Sequence, residues 1–123
     1  MTFEWNDNLP IYKQLRELVI ARILDGSFSE GEAVPSVRQV SAEYQINHLT
    51  VAKAYQELVE EAILVKKRGL GMFVVDGAQS LLSNNEQAQF LSEELPAFIE
   101  RIKMLGLDIN TVIEQLQNTG EKS

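Results

Sequence analysis

The chain has 123 residues and a mass of 13.9 kDa, room for one ordinary domain with a short appendage and too little for two full-sized cores. Hydrophobic residues make up 45% and charged residues 24%, a globular composition well away from the polar, highly charged corner where chains stay disordered. Cysteine is absent and the formal net charge is -7; the first excludes disulfides, thiolate catalysis and sulfur-ligated metals, and the second argues, on average, against indiscriminate binding to nucleic acid or anionic membrane.

Pro10 stands where a helix can begin, because its missing N–H would be unpaired there in any case, and Ile11, Leu15, Leu18, Val19 and Ile23 follow at helical spacing. Asp25-Gly26-Ser27 closes this first helix. Phe28 to Pro35 reads as a loop with a short extended stretch at Ala33-Val34, since the residue before proline is pushed away from helical angles. Ser36 and Gln39 form a capping box for a second helix of about two turns, with Val37, Val40 and Tyr44 on its buried face. After the tight connection Gln45-Ile46-Asn47, Asn47 caps a third helix from His48 to about Glu61. Its inward stripe is Val51, Ala54, Tyr55 and Leu58, which leaves His48, Leu49, Thr50, Lys53 and Gln56 nearer the outside. Two short helices joined by a brief turn predict a helix-turn-helix whose second member offers its N-terminal end to base edges.

Ile63-Leu64-Val65 and Met72-Phe73-Val74-Val75 are β-rich runs joined by Lys66-Lys67-Arg68-Gly69-Leu70-Gly71, the pattern of a hairpin, here the wing of a winged helix. Asp76-Gly77 marks a boundary and residues 80–85 read as a polar link. Beyond it Leu91, Leu95, Phe98, Ile102 and Leu105 step by fours and threes, the spacing of a helix packed on a partner, with Pro96 expected to interrupt it. Gly106 ends that helix, Asp108 caps a last one with Ile109, Val112, Ile113 and Leu116 inward, and residues 118–123 form a frayed tail. The fold class expected is mainly α with a small β-hairpin: a winged helix-turn-helix over residues 1–76 and a C-terminal helical dimerisation unit over residues 77–123.

Four strings in this order, Pro10-Ile11-Tyr12-Lys13-Gln14-Leu15, Val34-Pro35-Ser36-Val37-Arg38-Gln39-Val40, Asn47-His48-Leu49-Thr50-Val51-Ala52-Lys53-Ala54-Tyr55 and Gly69-Leu70-Gly71-Met72-Phe73-Val74, resemble the GntR family of bacterial transcription regulators. The short C-terminal helices, in place of a large ligand-binding domain, resemble its YtrA-like subgroup, where such helices dimerise. The resemblance implies that Arg38 meets phosphate or a guanine edge, that Thr50 and Lys53 are recognition-helix positions, and that Gly69 and Gly71 form the wing tip. Leu70 stands where the family often has a basic or polar wing residue, and His48-Leu49 replaces a more polar helix start.

The candidate DNA-binding residues are therefore Ser36, Arg38, Asn47, His48, Thr50, Lys53, Lys67, Arg68, Gly69 and Gly71, and the candidate dimerisation residues Leu91, Leu95, Phe98, Ile102 and Leu105. A guanidinium offers a bidentate fork to phosphate or guanine, so Arg38 is weighed for DNA against a surface pair with Glu43. Lys53 is weighed against an i,i+4 pair with Glu57. Asn47 is explained equally by capping, and the sole histidine, His48, cannot build a metal or catalytic site alone. Of Lys66, Lys67 and Arg68, alternate strand side chains face opposite ways, so at most two address one groove.

No catalytic constellation is present: Glu60-Glu61 and Glu93-Glu94 are adjacent helix residues, and Gly69-Leu70-Gly71 lacks the setting of a nucleotide loop. The expectation is a non-enzymatic, cytoplasmic homodimer that represses transcription from a two-fold-related double-stranded DNA operator, with no cofactor, metal or membrane partner and with room for an unidentified small-molecule effector. The alternative is a winged-helix protein-interaction module that has lost DNA binding. Residues 34–75 hold Arg38, Lys53, Lys66, Lys67 and Arg68 against Glu43, Glu57, Glu60 and Glu61, a net of +1 that leaves -8 elsewhere. The acidity thus lies mostly outside the expected reading surface.

Overall fold

The computed structural model describes residues 5–120. In chain order it comprises α1 (Ile11–Leu24), α2 (Val37–Tyr44), α3 (His48–Glu60), β1 (Leu64–Lys67), β2 (Gly71–Val74), α4 (Ala78–Gln89), a π-helical turn (Phe90–Glu94), α5 (Leu95–Met104) and α6 (Ile109–Gly120). The chain divides into two compact units, Met1–Asn84 and Asn85–Ser123. No described helix is long and apolar enough to cross a membrane.

The first unit is a winged helix-turn-helix. Its core joins Leu15, Val19, Ile20 and Ile23 of α1 to Val40 of α2, and to Val51, Ala54, Tyr55 and Leu58 of α3. The predicted stripe of α3 is buried at all four positions, as a 3.6-residue period requires of a helix packed on one face. Both halves of the capping box form: Gln39 N–H donates to Ser36 Oγ at 3.1 Å and Ser36 N–H to Gln39 Oε1 at 2.8 Å. Asn47 Oδ1 accepts from Leu49 N–H at 2.8 Å and so caps α3. Between α2 and α3, Gln45 takes the left-handed conformation at φ 54°, which turns the chain within three residues.

The hairpin pairs Leu64 with Val74 and Lys67 with Gly71 in antiparallel register. β2 lies one residue earlier than the expected strand, and β1 covers Leu64–Lys67 where residues 63–65 were expected; just beyond the ladder Val75 N–H donates to Ile63 O at 2.9 Å. The extended stretch predicted near Ala33-Val34 lies along β2: Gly31 N–H donates to Val74 O and Val34 N–H to Met72 O, each at 2.9 Å. These bonds lend the two-stranded wing a third edge and satisfy backbone groups of the loop.

Residues 80–85, expected as a polar link, are helical within α4. Ala78 and Leu82, one turn apart, are buried in the first unit's core, and this packing overrides the weak local pattern. The helix start is held as well. Glu30 Oε2 accepts from Gln79 N–H at 3.0 Å, and Gln79 Nε2 donates to Leu24 O, at the end of α1. Backbone donors at Gly77 and Gln79 hold the Glu30 carboxyl below the usual carboxylate range.

In the second unit Pro96 does not break the helix; it falls in the first turn of α5, directly after the π-helical turn. Proline has no N–H and crowds the carbonyl four residues earlier, so the chain widens to an i→i−5 bond, Leu95 N–H to Phe90 O, and continues. Gly106 closes α5 at φ 66° with Leu107 N–H donating to Ile102 O. The last helix reaches Gly120, so the tail expected from residue 118 is helical through 120; residues 121–123 lie outside the described residues.

Candidate nucleic-acid interface

The geometry of the helix-turn-helix is set by a few polar ties across an apolar core. Tyr55, on the buried face of α3, donates its hydroxyl to Pro35 O at 2.6 Å, fixing the residue just ahead of the Ser36 cap. Burial pushes the Tyr55 phenol well above its ordinary pKa of 10.0. Arg16 of α1 grips Glu61 beyond α3 with Nη2 2.6 Å and Nε 3.1 Å from Oε2, and lies 3.6 Å from Glu57. The hydrogen bond to Glu61 is the main cause that raises the Arg16 pKa. Gln14, buried in α1, binds the backbone of Asn6 and Leu9 through its amide, and Trp5 meets Tyr44 edge-on at 5.8 Å. The segment preceding α1 is thereby laid against the same unit.

On this frame Arg38, Asn47, His48 and Lys53 are exposed and Thr50 is half-buried. Arg38 and His48 come together: with Val37, Ser41 and Ala42 they line an open groove of about 550 Å³ between α2 and the start of α3. No ion pair to Arg38 forms among the described residues, with Glu43 or any other acid, so its guanidinium faces solvent with its donors available. Ser36 and Asn47 have their side chains engaged in capping, and their candidacy rests on place in the fold, at the helix starts where backbone N–H groups collect. The i,i+4 pair weighed for Lys53 does not form. Glu57 is 3.6 Å from Arg16, and the Lys53 ammonium sits 4.0 Å from the centroid of the Tyr12 ring.

In the wing, Gly69 and Gly71 adopt φ 77° and 111°, angles that side-chain-bearing residues rarely take, so both glycines shape the Arg68-Gly69-Leu70 tip. Lys67 lies over the Phe73 ring at 4.4 Å, while Arg68 and Leu70 are exposed, Leu70 at 71%. Lys66 and Lys67 alternate along β1 and face opposite sides of the sheet.

The seam residues fall in the second unit. Leu95, Phe98 and Ile102 line, together with Ile109, Val112, Ile113 and Leu116, an apolar groove of about 450 Å³ between α5 and α6; Leu91 and Leu105 are exposed outside it. Phe98 remains 51% exposed and Leu116 65%, so the inward faces expected of α6 are not covered within this unit. Sequence reasoning missed Tyr12, Arg16 and Gln14 as organisers of the surface. The partners described above lie 5 to 45 residues away along the chain, and no local pattern announces such pairings.

Residues 11–74 match the model of the gntR family of bacterial regulatory proteins. The chain is 25% identical over 121 residues, 98% of each chain, to the HTH-type transcriptional regulator YhcF of Bacillus subtilis (strain 168). It is 29% identical over 108 residues, 88% of this chain and 82% of the relative, to the HTH-type transcriptional repressor YtrA of the same organism. A transcriptional regulator of the GntR family from Bacteroides thetaiotaomicron superposes with a TM-score of 0.78 at 30% identity, over 90% of this chain and 97% of that one. With a family match over more than half its length, and with the winged helix-turn-helix that such a match requires, the chain belongs to the GntR family of bacterial regulatory proteins, which are DNA-binding transcription factors.

Proposed function

We propose that the chain is a homodimeric, cytoplasmic repressor of the YtrA-like subgroup that acts by binding an operator and not by catalysis. The observation that carries this reading is the unpaired Arg38 beside His48 in the groove at the start of α3, a cationic opening at the end of the helix that enters the major groove in this motif. Thr50 and Lys53 would lie one turn further along, and the wing would follow the backbone with Arg68. A relative described as a repressor, YtrA, aligns over 88% of the chain and supports both polarity and subgroup. Repression would follow from steric exclusion of polymerase.

Dimerisation is supported by the apolar groove of α5 and α6 with Phe98, Ile109 and Leu116 more than half exposed, since monomers rarely leave such contiguous patches uncovered. Two copies would present two recognition helices to half-sites about one helical turn of DNA apart. With a net of only +1 over residues 34–75, few phosphates are neutralised, so selectivity rests on geometry and a few base contacts.

Selection of bound genomic fragments followed by sequencing tests the reading. The expected outcome is a two-fold-related motif, and binding with a shallow salt dependence. Absence of any selective binding at modest salt refutes it, and a salt slope that implies ten or more released counterions refutes the charge argument. Exposed Leu49 and Leu70 favour one competitor, a winged-helix module that binds protein; for that module, replacing Arg38 and Lys53 with alanine changes nothing.

A further inference from the structure

We propose that Tyr12 is a positioning residue for DNA binding: its ring holds the Lys53 ammonium in place as a fixed point charge for a backbone phosphate. The inference rests on the DNA-binding reading and adds to it a residue outside the helix-turn-helix. Tyr12 is the second residue of α1, half-buried and packed against the core, so its ring is itself held. Lys53, exposed on α3, places Nζ 4.0 Å from the ring centroid, well inside the distance at which a ring face attracts a cation.

Two consequences follow from the chemistry of the pair. A ring face attracts the ammonium without neutralising its charge, so the N–H donors directed away from the ring stay available to an anion. A carboxylate partner would have cancelled the charge, and the nearest in sequence, Glu57 one turn on, is instead drawn to Arg16 at 3.6 Å. Lysine also has a flexible stem whose freedom is lost when it binds; the ring restricts that freedom before DNA arrives. A tethered ammonium is suited to a phosphate, which needs charge at a place, more than to a base edge, which needs a directed fork.

The test is an anisotropy titration of the full chain with an operator fragment recovered by selection, at several salt concentrations and with thermal midpoints measured alongside. Tyr12→Leu should weaken binding about two- to five-fold per half-site, the equivalent of an exposed cation–ring contact, and so about five- to twenty-five-fold for the dimer, whereas Tyr12→Phe, which keeps the ring, should bind as wild type. Lys53→Met should weaken binding evenly across operator variants and reduce the salt slope by about 1.8, one phosphate in each half-site of the dimer. In the Lys53→Met background Tyr12→Leu should cost nothing more. A general folding defect would persist in that background, so additive losses overturn the proposal. Equal losses for Tyr12→Phe and Tyr12→Leu assign the effect to the hydroxyl and also overturn it. Wild type without selective DNA binding overturns both readings; wild type that binds while Tyr12→Leu is indifferent overturns this one alone.

Discussion

Removing one oxygen from the core, by Tyr55→Phe, probes the tie between α3 and the entry to α2. Tyr55 is 1% exposed and donates to Pro35 O at 2.6 Å. A net hydrogen bond of this kind contributes about 0.5–1.5 kcal/mol. Pro35 is half-buried, a setting for which the net value applies rather than the larger penalty of a fully buried orphaned acceptor. A loss of about 1 kcal/mol at pH 8 is therefore expected, or about 4–8 °C in the midpoint of a domain this size.

The pH dependence is the sharper readout. The folded pKa is raised above the ordinary value of 10.0 by burial, so Tyr55 contributes its stability in full below pH 10 and loses it as pH rises through the folded value. At pH 11 the unfolded phenol is largely ionised while the folded one is not, which removes about 1.4 kcal/mol from the wild type and nothing from the variant. Urea denaturation at pH 8 and pH 11 should thus show the wild type's advantage disappear or reverse. A difference between the two proteins that stays constant from pH 8 to 11 refutes the assignment of a buried, neutral phenol.

Arg38→Ala should cost about 1–3 kcal/mol of operator binding per half-site if its guanidinium reads a base, measured by gel shift with an unchanged thermal midpoint as control. Phe98→Glu should give monomers in sedimentation, because a charge placed in the groove of α5 and α6 cannot be buried against a second copy; an unchanged dimer shows the interface to lie elsewhere. Leu82→Ala, at a site 4% exposed in the first unit's core, should destabilise that unit by about 2–4 kcal/mol, and a change below 0.5 kcal/mol would mean that α4 is not packed there. The depressed Glu30 carboxyl, bonded to the start of α4, adds stability above its ordinary pKa of 4.5 that is lost as pH falls further. Glu30→Gln should accordingly flatten part of the acid limb of a thermal-midpoint profile.

Much of the reading surface is legible along the chain because it is made of local signals. A capping box announces α2, an asparagine cap announces α3, and a 3.6-residue stripe selects Val51, Ala54, Tyr55 and Leu58 as the buried face. Each of these depends on residues within about a turn of one another, so the helix-turn-helix and the exposure of Arg38 and His48 follow from sequence. Glycines at 69 and 71 likewise encode the wing tip, since they meet a backbone requirement of their own positions.

Other features depend on residues far apart, and there the sequence was silent or misleading. The polar run at 80–85 lacks a strong helical pattern, yet Leu82 finds the core and Glu30, some fifty residues earlier, receives the N–H groups at the start of α4. Pro96 reads as an interruption because it denies the helix one hydrogen bond, but a single widened turn accommodates that loss. Lys53 and Glu57 are an ideal local pair that does not form, because α1 packs across α3 and brings Arg16 to the acid and Tyr12 to the base. Sequence by itself determined which residues of α3 face inward, where the helices of the motif begin, and that basic residues gather within residues 34–75 of an acidic chain. Tertiary structure alone decided which partners those side chains have, because a competition between one carboxylate and two cations is settled by distances that only the packed helices create.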